Sequence, residues 1–66
     1  MTIEILSRRT LADKQIHTVE YTVDGDIRAD MYTNRITADG TPVTDYDDVV
    51  DLDDEELITW IEDNRI

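Results

Sequence analysis

The fold is decided by the stretch from His17 to Met31, which reads HTVEYTVDGDIRADM. In its first half, Val19, Tyr21 and Val23 share one face of an extended strand, and polar residues occupy the other face. β-branched and aromatic residues dominate, as they do in strands. The Asp24–Gly25 pair then indicates a hairpin turn. The stretch therefore predicts two antiparallel strands joined at this turn.

The length of the turn sets the register of this hairpin. A two-residue loop would pair Tyr21 with Arg28 and mix polar and apolar residues on each face. A three-residue loop pairs Val23 with Ile27, and the odd-numbered residues of both strands then form one continuous apolar face. We predict the three-residue loop, because register follows the face that becomes buried.

The sheet is expected to extend on both sides of the hairpin. Ile3 and Ile5 alternate with polar neighbours and predict an N-terminal strand, which a turn at residues 12–14 ends. After the hairpin the alternation shifts by one residue, which predicts a bulge near Asn34 or a break in the strand.

A second hairpin is predicted at Asp39–Gly40. A two-residue loop there pairs Ile36 with Val43 and keeps the apolar face continuous. Pro42 has no backbone N–H, so the return strand is expected to be short or at an edge of the sheet.

The C-terminal segment changes to a helical period. Asp53 is a favourable N-cap residue, and Glu56 three residues later completes a capping box. The helix is predicted over residues 54–63, with Asn64 at its C-terminal end. Its apolar face comprises Leu57, Ile58, Trp60 and Ile61.

These elements predict an α+β fold, in which a three-to-five-stranded antiparallel sheet is followed by one C-terminal helix packed on one face. The chain is expected to form a single small domain over residues 1–66. Within it we assign residues 2–43 to the sheet, 44–52 to an acidic linker and 53–64 to the helix.

The charge is distributed unevenly along the chain. The net charge is −11, from 17 acidic and six basic residues. Residues 43–66 contain ten acids and one base, which leaves −9, whereas residues 1–42 contribute only −2. In the acidic stretch, which runs from Asp45 to Glu56, eight of twelve residues are acidic and none is basic. We predict that the partner-binding residues lie in this stretch: Asp45, Tyr46, Asp47, Asp48, Asp51, Asp53, Asp54, Glu55 and Glu56.

The residues needed for catalysis or for a cofactor are sparse. There is no cysteine, and His17 and Ser7 are the only histidine and serine. His17 lies on the apolar strand face, where a structural role is favoured over catalysis. A calcium loop beginning at Asp45 would place Val49 and Val50 where an oxygen ligand and a glycine are required. We therefore expect a non-enzymatic protein without a cofactor or metal site.

Other polar and aromatic side chains receive structural interpretations. Trp60 is expected in the core, whereas Tyr46 is either an anchor into the body or an exposed contact residue. Tyr32 falls on the predicted polar face, and we expect it to be exposed. The basic residues of the sheet region are expected to pair across strands with Glu4, Glu20 and Asp30; they are Arg8, Arg9, Lys14, Arg28 and Arg35.

The chain resembles the small, acidic, phage-encoded inhibitors that imitate DNA, a class that includes anti-CRISPR proteins acting on Cascade-type or Cas9-type complexes. The resemblance lies in the size, the absence of a catalytic motif and the acidic clusters at residues 45–48 (DYDD) and 53–56 (DDEE). It implies an inhibitor in the host cytoplasm that blocks the DNA-binding surface of a host defence complex. The implied partner is a basic nucleic-acid-binding protein or nucleoprotein complex, not nucleic acid or a membrane.

Other interpretations remain open, and one of them is a cation-dependent or catalytic domain with an irregular, low-affinity cation site among the acids. The acidity is also typical of a housekeeping or structural domain from a halophilic organism, since the chain has twelve Asp and only one Lys. Such acidity should spread over all surfaces, whereas mimicry requires clustering. The edge strands also leave room for a homodimer.

Overall fold

The computed structural model describes residues 1–66, which form four strands followed by two helices. The elements are β1 (Ile3–Leu11), β2 (Ile16–Val23), β3 (Asp26–Ile36), β4 (Pro42–Thr44), α1 (Asp45–Val49) and α2 (Asp54–Asn64).

The strands form one antiparallel sheet in the order β1-β2-β3-β4. Along β2, His17, Val19, Tyr21 and Val23 are buried and define the inner face, against which the helices pack. The alternate residues, beginning at Thr18, define the outer face. The α+β prediction is confirmed, with two helices in place of one.

The turn between β2 and β3 has two residues, so the predicted three-residue loop is wrong. Val23 pairs with Asp26 and Tyr21 pairs with Arg28. Asp24 and Gly25 have φ angles of 50° and 88°. Two successive residues with positive φ are the requirement of a type I′ turn, whose twist matches that of the flanking strands. The local turn geometry therefore prevails over continuity of the apolar face.

This register reverses the faces of β3. Tyr32 points inward and is fully buried, so the expectation that it is exposed is wrong. Ile27 and Met31 lie on the outer face and remain 74% and 62% exposed. Tyr21 and Tyr32 donate hydrogen bonds to the same carboxylate oxygen, Asp30 Oδ2, at 2.7 and 2.9 Å.

Two other details of the sheet differ from the prediction. The irregularity in register lies in β1, between Ile5 and Ser7, whereas β3 pairs without a shift through Asn34. The loop between β3 and β4 spans residues 37–41, so that Val43 pairs with Arg35 and not with Ile36. A hydrogen bond from Thr37 N to Thr41 O closes this loop at 2.9 Å.

The core lies between the inner face and the helices. Leu57 and Ile61 of α2 and Val49 of α1 are completely buried against the β2 side chains. Trp60 is partly buried and packs edge-on against Tyr32, with 5.1 Å between ring centroids. The predicted helix face is therefore confirmed.

The predicted linker contains a short helix. Within residues 44–52, α1 directs Tyr46 and Val49 into the body, because residues three apart share one face of a helix. Tyr46 is only 8% exposed, so it is an anchor and not a contact residue.

Candidate partner-binding surface

The acidic stretch is largely exposed to solvent. Of its eight acids only Asp45 is partly buried, and the other seven are exposed. Tyr46, which we predicted as a partner-binding residue, is removed from the surface by its burial in the core. The structure therefore retains the acids of the predicted site and excludes its aromatic residue.

Some of these acids have a structural role. Asp53 Oδ1 accepts a hydrogen bond from Glu56 N at 2.8 Å, and Glu56 Oε1 accepts one from Asp53 N at 3.1 Å. This is the predicted capping box, and it satisfies two backbone N–H groups at the start of α2. Asp54 and Glu55 occupy the same first turn, where the helix dipole favours negative charge.

Glu62 and Asp63 extend the acidic surface and were not among the predicted site residues. Both are exposed in the last turn of α2, seven residues after Glu55 and Glu56. Because seven residues make almost two helical turns, each pair lies on the same side of the helix. That spacing was the available signal in the sequence. Negative charge in a last turn opposes the helix dipole, so the dipole gives these two acids no structural role.

The single base among residues 43–66, Arg65, bonds to another residue of the chain. Arg65 donates a hydrogen bond to Asp45 Oδ2 at 2.7 Å. Its guanidinium also lies over the rings of Tyr32 and Trp60, at 5.1 and 5.7 Å from their centroids. Arg65 therefore pairs with Asp45, the least exposed acid of the acidic stretch.

Arg8 connects the sheet to the start of α2. It donates hydrogen bonds to Asp54 Oδ1 at 3.0 Å, to Val49 O at 3.2 Å and to His17 Nε2 at 3.1 Å. Since Nε2 is an acceptor, Nδ1 carries the proton of the neutral ring and donates to Thr10 Oγ1 at 2.8 Å. Arg8 thus fixes the orientation of α2 relative to the sheet.

His17 is a structural residue in this arrangement. It is 3% exposed, and burial together with the adjacent Arg8 guanidinium lowers the pKa of its imidazole. Both ring nitrogens of the neutral imidazole are hydrogen-bonded within the fold, one as an acceptor and one as a donor. The predicted structural role is supported by this geometry.

The predicted cross-strand ion pairs are absent. The two ion pairs of the protein are Arg8–Asp54 and Arg65–Asp45, each of which joins a base to an acid of the acidic stretch. The prediction failed because the two-residue turn changed the partners of β3, and because the inner face brings Arg8 to the helices.

We define the acidic layer as the ten acids of residues 45–63. The carboxylates of five of them accept no hydrogen bond and form no ion pair: Asp47, Asp51, Glu55, Glu62 and Asp63. Helix α2 alone carries five acids in 11 residues. At ~1.5 Å per residue the average is one charge per ~3.3 Å of helix axis, and the acids fall in two groups, residues 54–56 and 62–63, at the two ends of α2.

No group of three or more His, Cys, Asp or Glu side chains is arranged to hold a metal ion. No helix has the length and apolar character needed to cross a membrane. Comparison of the chain with family models, curated proteins and solved structures found no match.

Proposed function

We propose that this protein is a non-enzymatic inhibitor that occupies the DNA-binding surface of a basic nucleic-acid-binding protein or nucleoprotein complex. Its acidic layer takes the place of nucleic-acid phosphates. The partner class that the sequence suggests is a host defence complex of the anti-CRISPR target type.

The segregation of charge between the two sides of the molecule carries this proposal. Residues 43–66, which form the helical side, have ten acids and one base; that base is paired to Asp45, and Arg8 from the inner face of the sheet is paired to Asp54. The outer face of the sheet carries Glu4 and Glu20 together with Arg9 and Arg35, which balance. General salt adaptation would make both sides acidic, whereas a phosphate mimic needs one acidic side.

The chemistry of the acidic layer suits a partner rich in arginine and lysine. Arginine forms bidentate hydrogen bonds with carboxylate and with phosphate in similar geometry. An exposed surface of one sign also accelerates association with a partner of opposite sign, and salt weakens this effect. The placement of Glu62 and Asp63 against the helix dipole supports a role for these charges outside the fold.

The proposal is tested by reversing charges that the fold does not use. Asp47→Lys combined with Asp51→Lys changes two exposed side chains that form no internal hydrogen bond or ion pair. We expect this variant to bind its basic partner at least about 10-fold more weakly, because charges that steer and orient the complex are inverted. The measurement is capture of a nucleic-acid-binding complex on immobilised protein, followed by displacement with duplex DNA.

A matched variant controls for net charge. Asp13→Lys combined with Glu4→Lys alters the charge by the same amount at two exposed positions away from the helices, in the β1–β2 turn and on the outer face of the sheet. It should retain capture and displacement by DNA. The proposal is wrong if both double variants lose binding equally, or if duplex DNA fails to compete for the captured complex.

A further inference from the structure

The outer face of the sheet is unusual for an antiparallel sheet covered on one side. Such sheets commonly expose a polar face to solvent. Here β3 directs Ile27, Ala29 and Met31 outward, and no helix or loop covers them. Leu6 of β1, at the irregularity in register, is also 52% exposed. Ile27, Ala29 and Met31 therefore form an exposed apolar row along β3, and the polar outer residues of β2 separate this row from Leu6.

On the inner side of β3, the residues near the turn are polar. Near the turn, β3 directs Asp26, Arg28 and Asp30 toward the inner side, where Asp26 and Arg28 are exposed. The apolar residues of this segment therefore contribute little burial in the single chain. A grouped apolar surface of this kind is typical of an interaction site.

The charges on the outer face indicate which partner fits it. Glu4, Glu20, Arg9 and Arg35 give it no net charge, in a protein whose net charge is −11. None of the four forms an ion pair within the chain. A face with both signs in equal number is complementary to a copy of itself, whereas a basic partner is attracted to the acidic layer instead.

We propose that the outer face is the interface of a homodimer, in which two copies pack their sheets face to face and direct their helices outward. This inference is independent of the proposed function, since it uses the opposite side of the molecule. Three strands of about eight residues cover roughly 370 Å² in plan, and corrugation by side chains enlarges the accessible area. Two such faces amount to about 740 Å² in plan, so the interface belongs with weak, transient contacts and not with stable ones of about 1,200 Å² or more.

The arrangement also separates the two acidic layers. Each copy is 18 Å thick along its shortest axis, so the layers lie on the far sides of a body twice as thick. This exceeds the Debye length of ~8 Å at physiological ionic strength, and the two highly charged chains can associate. At ~0.01 M salt the Debye length is ~30 Å, and the dimer should weaken.

Sedimentation equilibrium of the full chain tests the inference. We expect a species of twice 7.7 kDa that forms with a micromolar dissociation constant. Ile27→Lys combined with Met31→Lys replaces two exposed side chains, so the fold should persist by circular dichroism. Dimerisation should weaken by at least about 100-fold, because apolar burial is lost and like charges oppose each other.

A control separates this surface from general apolar exposure. Ile36 is 68% exposed but lies on the inner side of β3, opposite the proposed interface. Ile36→Lys should therefore leave the dimer intact. A monomer at all concentrations up to ~1 mM would overturn the inference, as would a dimer that survives Ile27→Lys/Met31→Lys. Asp47→Lys/Asp51→Lys should preserve the dimer while weakening the binding of the basic partner. The two proposals can therefore be contradicted independently of each other.

Discussion

At the scale of single residues, Arg8 and His17 join the two layers. The Arg8 side chain is 19% exposed and contacts His17, Val49 and Asp54 at once. Protonation of His17 would place a cation against this guanidinium and remove the lone pair that accepts its Nε–H. The attachment of α2 to the sheet therefore depends on a neutral imidazole.

This dependence predicts a loss of stability at mildly acidic pH. The pKa of His17 is lowered by burial and by Arg8, so the unfolded chain binds a proton more readily than the folded chain. The contribution of neutral His17 is fully present above pH ~6.5 and decreases as the pH falls through the folded-state pKa. The free energy of unfolding, measured by urea denaturation between pH 7.5 and 5.5, should follow this course.

The variant His17→Gln provides the comparison. Its side-chain oxygen can still accept from Arg8, but it does not titrate, so the unfolding free energy should change less over the same pH range. An NMR titration of His17 with a midpoint at or above 6.5 would contradict the proposed cause.

At the scale of secondary-structure elements, the turn between β2 and β3 determines which side of β3 faces the helices. A shift of one residue in a strand moves every side chain to the opposite face. The Asp24–Gly25 turn thus places Tyr32 in the core and Ile27 on the outer face. A residue outside the turn also fixes Asp24, because Asp24 Oδ1 accepts a hydrogen bond from Thr2 N at 2.7 Å.

We predict that Gly25→Ala destabilises the fold by about 1–2 kcal/mol, the cost of a left-handed conformation for an L-residue. The φ angle of Gly25 is 88°, and an added Cβ would meet no atom within 4 Å, so the cost is conformational and not steric. Thermal unfolding should show a lower Tm for this variant. Asp24→Asn is the control and should be tolerated, because Asn adopts positive φ readily and keeps the acceptor for Thr2. Equal effects of the two substitutions would argue against this turn.

At the scale of the whole molecule, the separation of charge should make stability depend on salt. Ten acids lie on one side of a body that measures 36 × 24 × 18 Å, so like charges repel across the helical layer. Screening reduces this repulsion and stabilises the folded state.

We predict that the Tm of the wild-type chain rises between ~0.01 and ~0.3 M KCl and then levels off, since the Debye length is already short there. In a domain this small, 1 kcal/mol corresponds to about 4–8 °C in Tm. Asp47→Lys/Asp51→Lys should raise the Tm at low salt and converge with wild type at high salt. A Tm that continues to rise steeply to molar KCl would instead support the interpretation of a halophilic housekeeping domain.

Elements with local signals were predictable from the sequence alone. The capping box of Asp53 and Glu56, the apolar face of α2 and the alternation of β2 each depend on residues within a few positions of one another. The concentration of charge after residue 43 was likewise evident from composition along the chain.

Features that depend on contacts between distant residues were not predictable in this way. The burial of Tyr32 and Tyr46 and the exposure of Ile27 follow from strand register and from the docking of α1. The pairing of Arg8 with Asp54 joins residues 46 positions apart, which no local pattern encodes. Local turn chemistry prevailed over the apolar pattern, because a tight turn requires specific φ angles, whereas an apolar strand face can remain at the surface of the single chain.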